Sequence, residues 1–296
     1  MNVITEYFKQ AELALAAYAQ LMPGSPDIEA LKHPDVGMSE SQAERFAEHW
    51  RVIDQSPASP TGFSATVFEE ISTGKRYLAI RGTEGFFSVD TLADAQLLFG
   101  GAARAQIVSL YNYVQRLVTP AGQPAIQVED IAADIDPITG HVNDPGGIRQ
   151  TTSVAGLGYL SGATGITVAG HSLGGHLAAA ANYLFPTLIG ATFTYNAPGF
   201  SLDYAKALLD QFPGSATAFP ASITNLVAHA GADIIAAVGT LPGVPVRIEI
   251  ENQLPSGAAP ADKRRFVFGT DQAEKSQSSR YGEYAVANDC IWRRKA

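Results

Sequence analysis

Ser172 stands in Gly170-His171-Ser172-Leu173-Gly174-Gly175, the one local context of this chain in which a weak alcohol can become a nucleophile. The apolar, β-branched run Ile166-Thr167-Val168-Ala169 precedes it, and the helix-forming run His176-Leu177-Ala178-Ala179-Ala180-Ala181 follows. That order predicts strand, sharp turn, helix. At such a turn the serine is forced into strained backbone geometry, and glycines two before and two after it remove side chains that would collide there. The hydroxyl projects outward, while the helix N-terminus aims N–H groups and partial positive charge at a nascent oxyanion. A bare G-x-S-x-G is weak evidence by itself, and the flanking strand and helix give it weight.

A serine nucleophile needs a base to take its proton, a carboxylate to orient that base, and donors for the oxyanion. Asp233 is the best carboxylate, because it lies just past the predicted strand from Ile223 to His229, at the edge of the sheet where ligands bind in this class. Asp203 and Asp210 occupy a polar, helix-like stretch and read as solvated surface.

The elements around these residues follow from periodicity. Ile4, Phe8, Ala11, Leu15 and Tyr18 recur at helical spacing over 2–21, predicting an amphipathic helix packed on the core. A second helix over about 40–50 opens with the capping box Ser39-x-x-Gln42. Segments 63–68 and 76–81, joined by Ser72-Thr73-Gly74, read as a hairpin, and Ile107, Leu110, Tyr111, Val114 and Leu117 mark a helix over 102–118. From 119 to 165 the composition turns to Pro, Gly, Asp and Thr, the mark of an irregular insertion. Strands are expected at 191–195, 223–229, 244–250 and 265–268. Strands alternating with helices imply an α/β class: a mostly parallel central sheet with helices on both faces. The whole of 1–296 reads as a single domain, with lid-type insertions at about 84–101 and 119–165.

Composition narrows the partners. Hydrophobic residues make up 46% and charged residues 17%, enough for a sizeable core. The net charge of −9, with no basic stripe before Trp292-Arg293-Arg294-Lys295, argues against a nucleic-acid partner. The single cysteine, Cys290, forms no internal disulfide and reads as inert. No stretch approaches the roughly 20 apolar residues of a membrane span, and the N-terminus lacks a cationic, uninterrupted apolar leader. A soluble protein is expected, cytoplasmic or exported by a route without a signal peptide. No cofactor is implied. The acidic residues of the insertion (Asp130, Asp134, Asp136, Asp144) lack the spaced ligands and glycine of a calcium loop, and no metal site is assigned.

Four segments together resemble the class 3 lipase family of α/β-hydrolases, and within it the bacterial lipase-like catalytic domains. They are Tyr77-Leu78-Ala79-Ile80-Arg81-Gly82-Thr83, Ser88-Val89-Asp90-Thr91-Leu92-Ala93-Asp94, the elbow Val168 to Gly175, and Tyr195-Asn196-Ala197-Pro198-Gly199. Ser172 and Asp233 are 61 positions apart (233 − 172), similar to the family's separation. The resemblance covers about 60–250. It implies an α/β-hydrolase fold and a carboxylic ester hydrolase, a lipase or esterase, that forms a Ser172 acyl-enzyme. Asp233 would be the orienting carboxylate, and the backbone N–H groups of Leu173 and Thr83 the oxyanion donors. The implied partner is an acyl-ester (lipid) substrate, met through transient contact with a lipid interface. The apolar group Phe86, Phe87, Leu92, Leu97, Leu98 and Phe99 would bind acyl chains under a lid, although a sheet-covering helix would look the same.

One part of the family pattern is missing: no histidine follows His229, so none lies beyond Asp233. Three readings are open. The C-terminal segment replaces a histidine-bearing one, through truncation or alteration; the protein is a catalytically impaired relative that binds lipids or acyl groups; or a histidine from elsewhere serves as the base. For the last, His229 is the candidate, being at the strand end before Asp233. His171 is expected to point away from the serine hydroxyl, His176 lies in the elbow helix, His141 in the insertion, and His33 and His49 at the surface.

Overall fold

The computed structural model describes residues 3–57, 59–82, 92–228, 239–250, 285–287 and 290–294. Three helices open the chain: α1 (Val3–Ala16), α2 (Ile28–Lys32) and α3 (Glu40–His49). Ser39 caps α3, its hydroxyl accepting the Gln42 N–H at 3.3 Å, but the Gln42 side chain donates to Glu12 at 3.1 Å. Next come β1 (Trp50–Gln55), then the hairpin of β2 (Ala65–Glu70) and β3 (Arg76–Ile80), paired antiparallel as expected. Helix α4 (Leu92–Val118) is longer than its periodic segment, because helical backbone continues upstream through Gly100 and Gly101.

The insertion at 119–165 is more ordered than its composition suggests. It holds three two-stranded antiparallel ribbons, nested in sequence: β4 (Pro124–Ala125) with β9 (Val154–Ala155), β5 (Val128–Ile131) with β8 (Gly147–Gln150), and β6 (Asp134–Ile135) with β7 (Val142–Asp144). Strands of two to four residues with polar partners leave no periodicity to read. Side chains of α4 stitch these ribbons down. Arg104 holds Asp130 at 2.5 Å, and the Asn112 amide both donates to the Val128 carbonyl and accepts the Val128 N–H, each at 2.8 Å.

The remaining elements alternate: β10 (Ile166–His171), α5 (Leu173–Leu184), β11 (Ile189–Tyr195), α6 (Leu202–Leu209), β12 (Ile223–Ala228), β13 (Val244–Ile250), β14 (Ala285–Ala287) and β15 (Cys290–Arg294). The nine-stranded sheet runs β1-β2-β3-β10-β11-β12-β13-β15-β14. Its centre, β3 to β13, is parallel, and an antiparallel pair flanks each side. This is the α/β-hydrolase class expected. Trp292, Arg293 and Arg294, read from their charge as part of a basic stripe, instead lie in the strand β15 against β13. The strand expected at 265–268 lies outside the described residues.

Alternation along the strands sorts the core onto two faces. Leu78, Ile80 and Val168 pack with α4, α5 and α6 in one cluster, while Tyr77 and Ala79 pack with α1 to α3 in a second. Ala169, Phe193, Tyr195 and Leu226 form a third with Ala14 of α1. Burial on both faces explains why these strands read as continuous apolar runs.

Candidate active site

Ser172 is buried at the junction of β10 and α5, with φ 55° and ψ −128°. Among the described residues it and Asn196 are the only non-glycine residues at positive φ, a conformation that costs of order 1–3 kcal/mol unless the surroundings enforce it. The surroundings do. The Ser172 N–H donates to the Tyr195 carbonyl at 2.9 Å, and its own carbonyl accepts from Gly175 and His176 at 2.9 and 3.2 Å.

Three glycines make that turn possible. A Cβ at Gly170 would collide with the Gly174 carbonyl and lie 2.7 Å from the Gly175 nitrogen. A Cβ at Gly174 would collide with the Ile80 carbonyl and lie 2.8 Å from the Gly82 nitrogen. At Gly175 it would meet Ala197 Cβ at 2.7 Å. The first turn of α5 therefore lies against both the end of β3 and the turn after β11. The strain at Ser172 is the geometric result of packing backbone on backbone.

The turn after β3 is held from two further sides. The Arg81 N–H donates to the Ser64 carbonyl at 3.0 Å, and the Arg81 guanidinium donates to the Gly62 carbonyl at 3.2 Å. On the other side, a Cβ at Gly82 would collide with the Tyr18 hydroxyl and lie 2.7 Å from the His171 carbonyl. Leu173 is buried as the first residue of α5, so its N–H belongs to the unpaired donors of a helix N-terminus. Thr83 falls just outside the described residues, one position past Gly82.

His171 turns away from the site, as expected. Its Nδ1 is 3.1 Å from the Tyr18 hydroxyl, and loss of water around the ring brings its pKa down to about 4. His176 is also occupied: its ring stacks on Phe200 at 3.9 Å, its Nδ1 is 3.4 Å from the Pro198 carbonyl, and burial lowers its pKa to about 4 against the opposing pull of the backbone. His33 pairs with Asp35, His49 bonds the Arg45 carbonyl, and His141 is exposed in the β6–β7 ribbon. Of the chain's six histidines only His229 is left, and it and Asp233 lie outside the described residues.

The stem of the segment that carries them is described. Asn196, at φ 45°, accepts the Ala228 N–H on its side-chain oxygen at 2.8 Å and donates its own N–H to the Leu226 carbonyl at 2.9 Å. Beneath, buried Asn225 accepts from the Thr194 hydroxyl at 2.8 Å and donates to the Pro242 carbonyl at 2.6 Å. The near end of 229–238 is thus tied to the turn after β11, and the far end to Asn225 of β12 and to Phe200. The alternative acids are engaged elsewhere: Asp210 binds Lys206 at 2.6 Å and the Tyr183 hydroxyl at 2.5 Å, and Asp203 is exposed on α6.

Sequence reading missed Tyr18 and Asn196 as members of this site. Tyr18 passed for one more residue of an amphipathic face, although a phenol there needs a polar partner. Asn196 was visible only as part of its motif. The acids of the insertion have their own partners too: Asp130 pairs with Arg104, Asp144 with Arg149, and Asp136 accepts the N–H groups of Ile138 and Thr139. Phe86 and Phe87 lie outside the described residues. Leu92, Leu97, Leu98 and Phe99 lie on α4.

No protein-family profile and no curated protein matches the chain. Solved structures of similar fold include the Lip2 lipase of Yarrowia lipolytica, 17% identical over 82% of this chain and 77% of that one, with a TM-score of 0.38. The lipase of Rhizopus microsporus var. chinensis is 16% identical over 86% and 76%, with a TM-score of 0.43. A triacylglycerol lipase of Penicillium expansum is 8% identical over 83% and 78%, with a TM-score of 0.38.

Proposed function

We propose that this chain is a carboxylic ester hydrolase of the lipase or esterase kind, reacting through a Ser172 acyl-enzyme. The observation that carries the reading is the positive φ of Ser172 between β10 and α5, enforced by glycines that admit no Cβ. A structural serine has no use for that strain. A nucleophile does, because the turn presents its hydroxyl beside the unpaired N–H groups of a helix end.

In this reading the Ser172 hydroxyl attacks the ester carbonyl, and the N–H groups of Leu173 and Thr83 take the negative charge of the tetrahedral intermediate. Each such donor is worth about 2.7–4 kcal/mol of barrier. Asp233 orients the base. Of the histidines in this sequence, His229 is the candidate for that base. The alcohol leaves with the proton taken from Ser172, and water releases the acyl group by the reverse sequence.

Acyl esters of lipids are the substrate class, and the class 3 lipase family is the relationship the motifs support. No helix among the described residues is long and apolar enough to cross a membrane, and contact with lipid would be transient and interfacial. The chain would act as a single domain. Its lid would be the segment near 84–101, since the described hydrogen bonds of the 119–165 ribbons run to α4 and to Gln211 past α6 rather than to the elbow.

A series of p-nitrophenyl esters of rising acyl length tests the proposal, read for the wild type, Ser172→Ala and His229→Ala. Turnover lost in both variants supports it. Turnover kept in Ser172→Ala overturns the nucleophile, and turnover kept in His229→Ala overturns the base. Binding of the esters without turnover by the wild type would support the impaired, acyl-binding alternative that the absence of histidine beyond Asp233 raises.

A further inference from the structure

We propose that Tyr18 is a positioning residue for this reaction: its hydroxyl bridges the Gly82 N–H and His171 Nδ1 and so locks the oxyanion turn against the nucleophile elbow. The proposal rests on the Ser172 reading for its catalytic consequence, and on the contacts of the Tyr18 hydroxyl with His171 and Gly82 for the bridge.

Tyr18 follows α1 by two residues. Its N–H is bonded to the Leu15 carbonyl at 3.0 Å, and the next stretch is tied to the sheet by Gln55, which donates to the Ala19 carbonyl and accepts the Leu21 N–H, both at 2.9 Å. The phenol is thus delivered from a fixed backbone. A phenol oxygen has one proton and two lone pairs. The Gly82 N–H takes one lone pair, and in the proposed bridge the phenol proton goes to His171 Nδ1, 3.1 Å away. In that arrangement Nδ1 is the bare acceptor and Nε2 carries the proton. The two rings sit 6.2 Å apart at 54°, so the contact is through the hydroxyl and not a stack.

The positions bridged are the ones that matter. Gly82 immediately precedes Thr83, and His171 immediately precedes Ser172, with Leu173 next. Oxyanion donors work only when held about 2.7–3.1 Å from where charge develops. The two donors belong to different parts of the chain: Leu173 opens α5, and Thr83 follows Gly82, which lies two residues past β3. The Tyr18 hydroxyl is a polar link between those elements at this point, in a space where a Cβ on Gly82 would not fit.

Tyr18→Phe removes the hydroxyl and keeps the ring. With p-nitrophenyl esters, kcat is expected to fall about 10- to 100-fold, the scale of a small misplacement, while KM stays within about twofold. Reaction of Ser172 with a fluorophosphonate should slow by the same factor. In the wild type, the nitrogen NMR spectrum of His171 should report an unprotonated, hydrogen-bonded Nδ1, and that resonance should move in Tyr18→Phe. Unchanged kcat in a folded Tyr18→Phe, or an Nδ1–H tautomer in the wild type, would overturn the proposal. A wild type that fails to label at Ser172 would overturn the nucleophile reading, whereas the imidazole spectrum of that same protein still decides the bridge.

Discussion

The Asn196 side-chain oxygen accepts the Ala228 N–H at 2.8 Å, so the turn after β11 grips the last described residue before His229. Asn196 is one of two non-glycine residues at positive φ among those described, and the other is Ser172. The two strained residues stand at the ends of neighbouring parallel strands, where β10 meets β11 and β11 meets β12. One presents the candidate nucleophile, and the other anchors the segment that carries the candidate base and carboxylate.

Asn196→Ala removes the acceptor and leaves a Cβ-bearing residue without its compensating bond. An unsatisfied buried N–H costs about 1–3 kcal/mol, so a lower Tm is expected. Ester turnover should fall by more than the loss of folded protein explains, because segment 229–238 loses its anchor. Asn196→Gly should recover some stability, by relieving φ, without recovering turnover. Thermal melts and steady-state kinetics on both variants check this.

Gly174→Ala places a methyl against the Ile80 carbonyl and the Gly82 nitrogen, backbone that cannot rotate away. Overpacking of this kind costs typically 1–3 kcal/mol, and the expected result is a lower denaturation midpoint together with lost ester hydrolysis. Gly74→Ala is the control: a Cβ there meets nothing within 4 Å, although its φ of 67° still disfavours alanine, and hydrolysis should be kept.

Glu12 lies in α1 where burial raises its pKa to about 7, against the opposing bond from Gln42 at 3.1 Å. The folded chain favours the protonated acid. Stability from this group is therefore complete below its ordinary value near 4.5 and is lost as pH rises through 7. Glu12→Gln should raise stability by about 1–3 kcal/mol at pH 8 and change it little at pH 4.5, as chemical denaturation at the two values will show.

His171 and His176 act in the opposite direction. Both are held neutral, with pKa about 4 in place of 6.5, so the unfolded chain binds protons that the folded one refuses. The associated stability is full above pH 6.5 and declines as pH falls toward 4, by up to about 3 kcal/mol per imidazole. Denaturation of Glu12→Gln between pH 7 and 4 isolates the effect from Glu12. A flat profile there would contradict the burial of these rings.

Local chemistry made much of this legible in the sequence. Ser39 and Gln42 announced α3, Ser72-Thr73-Gly74 the hairpin, and Ile166 to Ala181 the strand–elbow–helix. What escaped reading was decided by tertiary packing. β1 carries Arg51, Asp54 and Gln55 and shows no clean alternation, yet it pairs along β2 at the edge of the sheet. The insertion's ribbons owe their order to Asn112 and Arg104 on α4, more than 15 positions away from Val128 and Asp130. Tyr18 joins the site only because α1 crosses the sheet to reach Gly82, a relation no local pattern encodes.

Mass spectrometry after treatment with a fluorophosphonate probe reads the reactivity of Ser172 itself. A nucleophile at Ser172 predicts one adduct, on the peptide carrying it, in the folded wild type, and none in Ser172→Ala. A folded wild type that carries no adduct at Ser172 and hydrolyses no p-nitrophenyl ester would contradict it.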